Sequence, residues 1–336
     1  MIVTTKLRIS NFKSVKELTL ECRRVNVFIG EPNTGKSNIL EAIGLMSHLC
    51  QGRLRNIGQF IRFETMIDLF YDHVLENPVE VEFGLNYLKM EFSNGTFVGT
   101  FRLGPADSPL AFRTQVFQYG YGGGQSQLMP QLSTQVTPFR FYRFNKKVSF
   151  QDPQAEFLMP PDGDNLLHVI LTRKDLKKIF GEMFGAFGYR MVFKPPEGKI
   201  EIQKEFEDVI ISFPYSLSSE TLQRIAFYLA AIYSNKNCVI SFEEPEAHAF
   251  PYYTKYLAER IAVDPNKNQY FIATHNPYFL VSLLEKTEKD DLSAFVTYLD
   301  HYQTKARELD DSQKQDILRM GSDVFFNLQK LLGAKD

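Results

Sequence analysis

Gly30-Glu31-Pro32-Asn33-Thr34-Gly35-Lys36-Ser37 satisfies the phosphate-loop pattern G-x-x-x-x-G-K-[ST] at every fixed position. Val25, Val27 and Ile29 alternate before it, and Ile39, Leu40, Ile43 and Met46 recur at helical spacing after it. Strand, glycine loop and helix in that order predict a cradle for a nucleoside triphosphate. The two glycines let successive backbone amides turn onto phosphate oxygens, and a helix beginning near Lys36 aims its partly positive end at the same anion. In such a cradle Lys36 reaches the β- and γ-phosphates, and the Ser37 hydroxyl is placed for Mg2+.

Around that loop, 336 residues with 44% apolar content are enough for a full core, and one large domain or a domain with an inserted lobe is expected. No apolar run approaches the ~20 residues that would span a bilayer, and the first ten residues lack the apolar core of a secretion signal. The expectation is a cytoplasmic protein that makes no use of a membrane. Cys22, Cys50 and Cys238 are odd in number and lack C-x-x-C spacing, so they are expected as reduced core thiols. A formal charge of −2 gives no global attraction to a polyanion. Two local basic clusters, Arg140, Arg143, Lys146 and Lys147, and Arg173, Lys174, Lys177 and Lys178, are either solvated faces or patches for nucleic acid.

Short strands are expected at residues 7–9, 18–20 and 25–29, with Asn11-Phe12-Lys13-Ser14 between the first two. Past the helix over residues 37–50 come a break at residues 51–58 and a further helix around residues 60–75. From Val79 the period becomes two, and strands at residues 79–83, 87–92 and 96–103 flank Asn94-Gly95, a hairpin signal. Residues 120–135, rich in Gly, Gln and Ser, are expected as a mobile loop. A strand over residues 139–144, a turn at Pro160-Pro161-Asp162-Gly163-Asp164, helical spacing over residues 165–187 and strands near residues 192, 200 and 209–213 follow.

Cys238-Val239-Ile240-Ser241-Phe242 reads as a buried parallel strand, ending in Glu243-Glu244-Pro245-Glu246. Carboxylates at the carboxyl end of such a strand face the ligand crevice. With a phosphate loop present, Glu243 is the candidate Mg2+ ligand and Glu244 the group that orients or deprotonates the attacking water. A second buried strand over residues 269–274 ends in His275-Asn276-Pro277. Asn276 is suited to cap a helix with Pro277 in its first turn, which leaves His275 at the strand tip. His48, His73, His168 and His301 lack such placement and are expected to be structural. Tyr215-Ser216-Leu217-Ser218-Ser219-Glu220 precedes a helix carrying Leu222, Ile225, Ala226, Leu229 and Ile232. Serines there either cap the helix or receive a phosphate.

Together these pieces resemble the ATP-binding-cassette type ATPases of the RecF, SMC and OLD-nuclease group. Ile9-Ser10-Asn11-Phe12-Lys13-Ser14 looks like the family's opening strand and turn, where the basic residue, here Lys13, approaches the nucleotide. Glu243-Glu244-Pro245-Glu246-Ala247-His248 matches its acidic motif, Asp162-Gly163-Asp164-Asn165-Leu166 is similar to a turn found in the group, and Leu217-Ser218-Ser219-Glu220-Thr221 aligns with its L-S-G-G-Q signature. The resemblance implies an α/β fold with a mixed, mainly parallel core sheet flanked by helices, an antiparallel β lobe and an inserted helical segment. It divides one bilobed domain into residues 1–78 with the phosphate loop, a β-rich and helical insertion at 79–208, and residues 209–336 with signature helix, acidic motif and switch histidine.

It also implies two chains stacked head to tail, each ATP held by Gly30 to Ser37 and Lys13 of one chain and by Ser218, Ser219 and Glu220 of the other, with His275 touching the γ-phosphate. ATP with Mg2+ then acts as glue, hydrolysis as release, and a separate effector in DNA maintenance or defence against phage or plasmid DNA is the expected partner. Several positions depart from the family. Both signature glycines are replaced, by Ser219 and Glu220; a carboxylate near the γ-phosphate of the facing chain weakens docking by like-charge repulsion unless it points away, so turnover is expected to be slow or to need a partner. Phe250 stands where OLD-like proteins often carry a histidine, and Gln151 is the candidate glutamine-loop residue. Residues 52–209 lack the sustained heptads of an SMC coiled coil, and the 61 residues after His275 are too few for an appended nuclease domain. Two other readings compete: an ATP-binding scaffold or sensor with little hydrolysis, and a small-molecule kinase, which leaves the signature helix and His275 unexplained.

Overall fold

The computed structural model describes residues 5–51, 56–104, 114–128, 138–151 and 155–333. Three strands open the chain: β1 (Thr5–Phe12), β2 (Val15–Cys22) and β3 (Val25–Gly30). Helix α1 (Lys36–Cys50) follows, then β4 (Val79–Phe83), β5 (Asn86–Ser93), β6 (Thr96–Arg102), β7 (Thr114–Tyr119), β8 (Gln125–Leu128) and β9 (Phe139–Tyr142). Next come α2 (Leu166–Thr172), α3 (Lys174–Gly185), β10 (Arg190–Lys194), β11 (Lys199–Phe206), β12 (Val209–Pro214) and α4 (Glu220–Ser234). The last stretch holds β13 (Val239–Glu243), α5 (Pro251–Ala262), β14 (Gln269–Ala273), α6 (Pro277–Lys286), β15 (Leu292–Asp300), β16 (Gln303–Glu308), α7 (Asp311–Met320) and α8 (Leu328–Leu331).

Among the described residues these strands make three sheets. The central one runs β16-β15-β3-β14-β13-β9 and is parallel except for β16 at its edge. Buried on both faces, β3 and β13 are mostly apolar, with Asn26 and Ser241 as buried polar exceptions. On one face Val25, Val27, Ile240, Phe242 and Ile272 pack with apolar residues of α2 to α6. On the other, Phe28, Phe139 and Phe271 meet α1 and the second sheet. Phe83 of β4 makes edge contacts with Phe139 and Phe271, with 5.6 Å between ring centroids in each case, and so rivets the two sheets together.

That second sheet, β2-β1-β4-β5-β6-β7-β8, is antiparallel throughout. Its β5–β6 turn is Asn94-Gly95, both with positive φ, as the hairpin signal required. β1 pairs directly with β4, so β1 and β2 belong to the antiparallel sheet, across residue 78, while β3 belongs to the central one. The third sheet, β10-β11-β12, is a separate antiparallel meander.

Several expectations are corrected. No α-helix covers residues 60–75: Met66–Leu69 and Tyr71–His73 are short 3-10 turns, and positive φ at Asp72 and His73 prevents their continuation. The apolar residues there, Phe60, Ile61, Met66, Leu69 and Phe70, are buried from successive turns. The helical stretch after Asn165 is two helices, broken at Arg173, whose backbone is extended. Of the expected mobile loop, residues 120–124 form a turn closed by Gly120 N–H to Gly124 O, residues 125–128 are β8, and residues 129–135 lie outside the described residues. The first basic cluster is not a patch: Arg140 is buried, Lys147 binds Asp162 and Asp164, and Arg143 points into the site described below. Cys22 and Cys50 are buried free thiols, as expected, and Cys238 is half-buried. No described helix is long and apolar enough to cross a membrane.

Candidate functional site

The carboxyl ends of β9, β3, β14 and β13 lie along one edge of the parallel sheet, where crevices for ligands form. Register decides which residues meet there. β13 pairs with β14 so that Glu243 lies opposite Ala273, and with β9 so that Phe242 lies opposite Tyr142. Glu243, Glu244, His275 and Arg143 therefore leave neighbouring strands at the same level as the loop after β3.

That loop can only be built with its glycines. A Cβ on Gly30 would sit 2.4 Å from Thr297 Oγ1 of β15, and one on Gly35, whose φ is 89°, would sit 1.9 Å from Thr304 Oγ1 of β16. Asn33 takes the left-handed region at φ 63°. Thr34 Oγ1 donates to Glu31 O at 2.8 Å and meets Thr297 Oγ1 at 2.7 Å, so the loop is braced from behind by β15. Its open side presents the first-turn amides of α1, which have no acceptor within the helix. Lys36 Nζ arches over the loop and donates to Gly30 O at 2.9 Å and Glu31 O at 2.7 Å. Burial pulls this ammonium down to about 8, although Glu244 and Glu31 act to raise it. A cradle lined by amides and one ammonium, on a loop whose glycines leave no room for a Cβ against β15 and β16, fits a polyphosphate.

The Ser37 side chain lies beside the Glu243 carboxylate. Burial pushes the Glu243 carboxyl up, but Arg143, the Ser37 hydroxyl and Arg62 together hold it below the ordinary glutamate value. An ionised carboxylate beside a hydroxyl next to a phosphate cradle is the donor set Mg2+ takes when it binds through few protein groups and phosphate oxygens. Glu244, at φ 43°, turns off the strand, and its Oε1 is 3.9 Å from His275 Nε2. Burial and then Lys36 lower the His275 imidazole, against the pull of Glu244. Asn276 Oδ1 accepts from Tyr278 N and Phe279 N and caps α6, so the expected cap is present.

Lys36, Ser37, Glu243, Glu244 and His275 are thus brought together. Lys13 joins them indirectly: its Nζ contacts Glu41 Oε2 and Arg62 O, both at 2.5 Å, at the β1–β2 turn. The Ser218 hydroxyl donates to Tyr215 O within its own turn, Ser218 O accepts from Gln223 Nε2 of α4, and Ser219 precedes α4 without a side-chain cap bond. Glu220 is paired with Arg224 at 3.2 Å, one turn along the helix, and Thr221 Oγ1 donates to His248 O. Phe250 is exposed. Gln151 is also exposed and follows residues 143–150, which have no regular structure, so it does not end a strand. The residue that does leave β9 beside Glu243 is Arg143, which the sequence reading grouped into a basic cluster. The available signal was the apolar spacing of Phe139, Phe141 and Tyr142, which marks a strand with Arg143 at its carboxyl end.

Fold and loop together define a phosphate-loop nucleotide-binding domain. A family model described as an AAA ATPase domain matches residues 1–182, and the chain belongs to that family. Over 60 residues it is 38% identical to the DNA replication and repair protein RecF of Staphylococcus haemolyticus, covering 18% of this chain and 16% of that protein. Over 100 residues it is 31% identical to an uncharacterized protein of Methanocaldococcus jannaschii, covering 27% of this chain and 44% of the other. The chain therefore spans less than half the length of these relatives. A crystal structure of an SMC head bound to the C-terminal winged-helix domain of ScpA superposes with a TM-score of 0.53 at 17% identity, covering 92% of this chain and 98% of that one. The likeness is one of fold.

Proposed function

We propose that the protein binds and hydrolyses ATP as a dimeric switch that gates or drives a separate effector, in DNA maintenance or in defence against phage or plasmid DNA. The observation that carries this reading is the convergence of Lys36, Glu244 and His275 at one sheet edge. Gly30 to Ser37 wrap the phosphates, with Glu31, Pro32, Asn33 and Thr34 supplying the backbone between the glycines. Lys36 exchanges its two carbonyl partners for phosphate oxygens. Ser37 and Glu243 would hold Mg2+, which supplies charge neutralisation between the β- and γ-phosphates. Glu244 takes a proton from the attacking water, and His275, within reach of Glu244, registers whether the γ-phosphate is present.

Ser218, Ser219 and the start of α4 are assigned to the nucleotide of a facing chain. Pairing of Glu220 with Arg224 supports this, because it offsets the negative charge that would otherwise repel a phosphate. A scaffold with little turnover is the second reading, favoured by Glu220 standing where the family carries glycine. Named functions of the relatives, DNA repair for RecF and ScpA binding for the SMC head, support a DNA-linked role and a partner protein.

The test compares wild type with Glu244→Gln in Mg-ATP. Loss of a general base should slow phosphate release by roughly 10²-fold or more while ATP is retained and dimer accumulates in sedimentation. Only monomers for the variant at saturating Mg-ATP would refute the switch, and equal assembly with ATP and a non-hydrolysable analogue with negligible turnover by wild type would favour the scaffold.

A further inference from the structure

Glu41 lies one helical turn after Ser37, on the same face of α1, and its side chain has no exposure at all. A carboxylate so buried needs cations, and three reach it: Lys13 Nζ at 2.5 Å, Arg62 Nε at 2.7 Å and Arg143 Nη2 at 3.3 Å. Both arginines also hold Glu243. Arg143 approaches Glu243 Oε2 through Nε at 3.0 Å and Nη2 at 2.7 Å, and Arg62 Nη2 is 3.4 Å from Glu243 Oε1. Two carboxylates, one on the phosphate-loop helix and one at the end of the acidic strand, therefore share the same two guanidiniums.

We propose that Arg143 is a positioning residue that grips Glu243 in competition with the divalent cation, and that Glu41 sets the strength of that grip by drawing the guanidinium toward itself. The proposal rests on the reading of Glu243 as a metal ligand. Opposite charges at hydrogen-bond distance favour each other's ionised form, so a cation approaching Glu243 must displace part of an existing ion pair. Removing Arg143 leaves Glu243 to the metal. Neutralising Glu41 does the reverse, because Arg143 and Arg62 then have Glu243 as their remaining carboxylate. A residue that merely supported the fold would weaken metal binding whichever partner was removed, so opposite signs separate the two accounts.

The experiment uses the full chain with Mn2+ as a paramagnetic probe and a non-hydrolysable ATP analogue at saturation, reading free Mn2+ by electron paramagnetic resonance. Arg143→Ala should tighten Mn2+ and Glu41→Gln should weaken it, each by about 10-fold, the size typical of outer-shell changes at metal sites. Analogue affinity in EDTA should stay unchanged in both variants. Shifts of the same sign, or none, would overturn the proposal. Should Arg143→Ala fail to fold, Arg143→Lys, which keeps the charge but loses the second contact to Glu243, should shift Mn2+ affinity in the same direction and by less, and no shift in that folded variant overturns the proposal equally. If wild type with analogue binds no Mn2+, it is the metal-site reading that has failed instead.

Discussion

Glu246 shows how one side chain behind the site couples to its protonation. It is almost wholly buried, its Oε1 is hydrogen-bonded to Thr274 and its Oε2 has no hydrogen-bond partner among the described residues. Burial raises this carboxyl from 4.5 to about 7, against the lowering effect of Thr274. Between those values the unfolded chain gives up its proton before the folded one does. The stabilisation from keeping the proton is therefore complete below pH 4.5 and falls away as pH rises to 7. Glu246→Gln should remove that slope. Urea unfolding at pH 5 and pH 8 should show wild type losing on the order of 3 kcal/mol more than the variant between the two. Equal losses would mean that Glu246 is ionised in the folded protein across this range.

At the level of single elements, α6 is the one on which His275 depends. Asn276 caps it through two amides, and Asn276 N–H in turn donates to Thr274 Oγ1 at 3.0 Å. Asn276→Ala should cost about 1 kcal/mol of stability, the usual worth of such a cap, and slow ATP turnover by more than it weakens ATP binding. Thermal melts and steady-state kinetics read the two effects. This element was legible in advance because Asn-Pro after an apolar run is a local signal, as were β3, α1 and β13 with their polar ends. Residues 60–75 were not legible. Their apolar spacing reports burial, and burial is met there by 3-10 turns that two left-handed residues interrupt. For Arg143 the sequence held half of the answer: apolar spacing marks the strand it ends, but its meeting with Glu243 depends on β9 pairing with β13, about a hundred residues away in sequence, which local pattern does not record.

For the whole molecule, the assignment of Ser218 to a facing chain has a consequence that single-chain chemistry lacks. Lys36→Ala disables the loop of its own chain, and Ser218→Arg blocks the surface offered to the other. Each variant alone should be inactive, whereas a mixture contains dimers with one intact composite site and should regain part of the wild-type rate. Measured phosphate release from the mixture no greater than the sum of the separate variants would exclude the in-trans assignment.

β3 lies between β14 and β15, so the strand that launches the phosphate loop takes both of its neighbours from beyond residue 268, and Gly30 and Gly35 are braced by Thr297 and Thr304 from farther still. A polypeptide emerging from the ribosome has its nucleotide motif in hand early but nothing to shape it until most of the chain has been made. The shape of residues 30–37 is therefore a property of the assembled sheet, since the strands that flank it lie beyond residue 268.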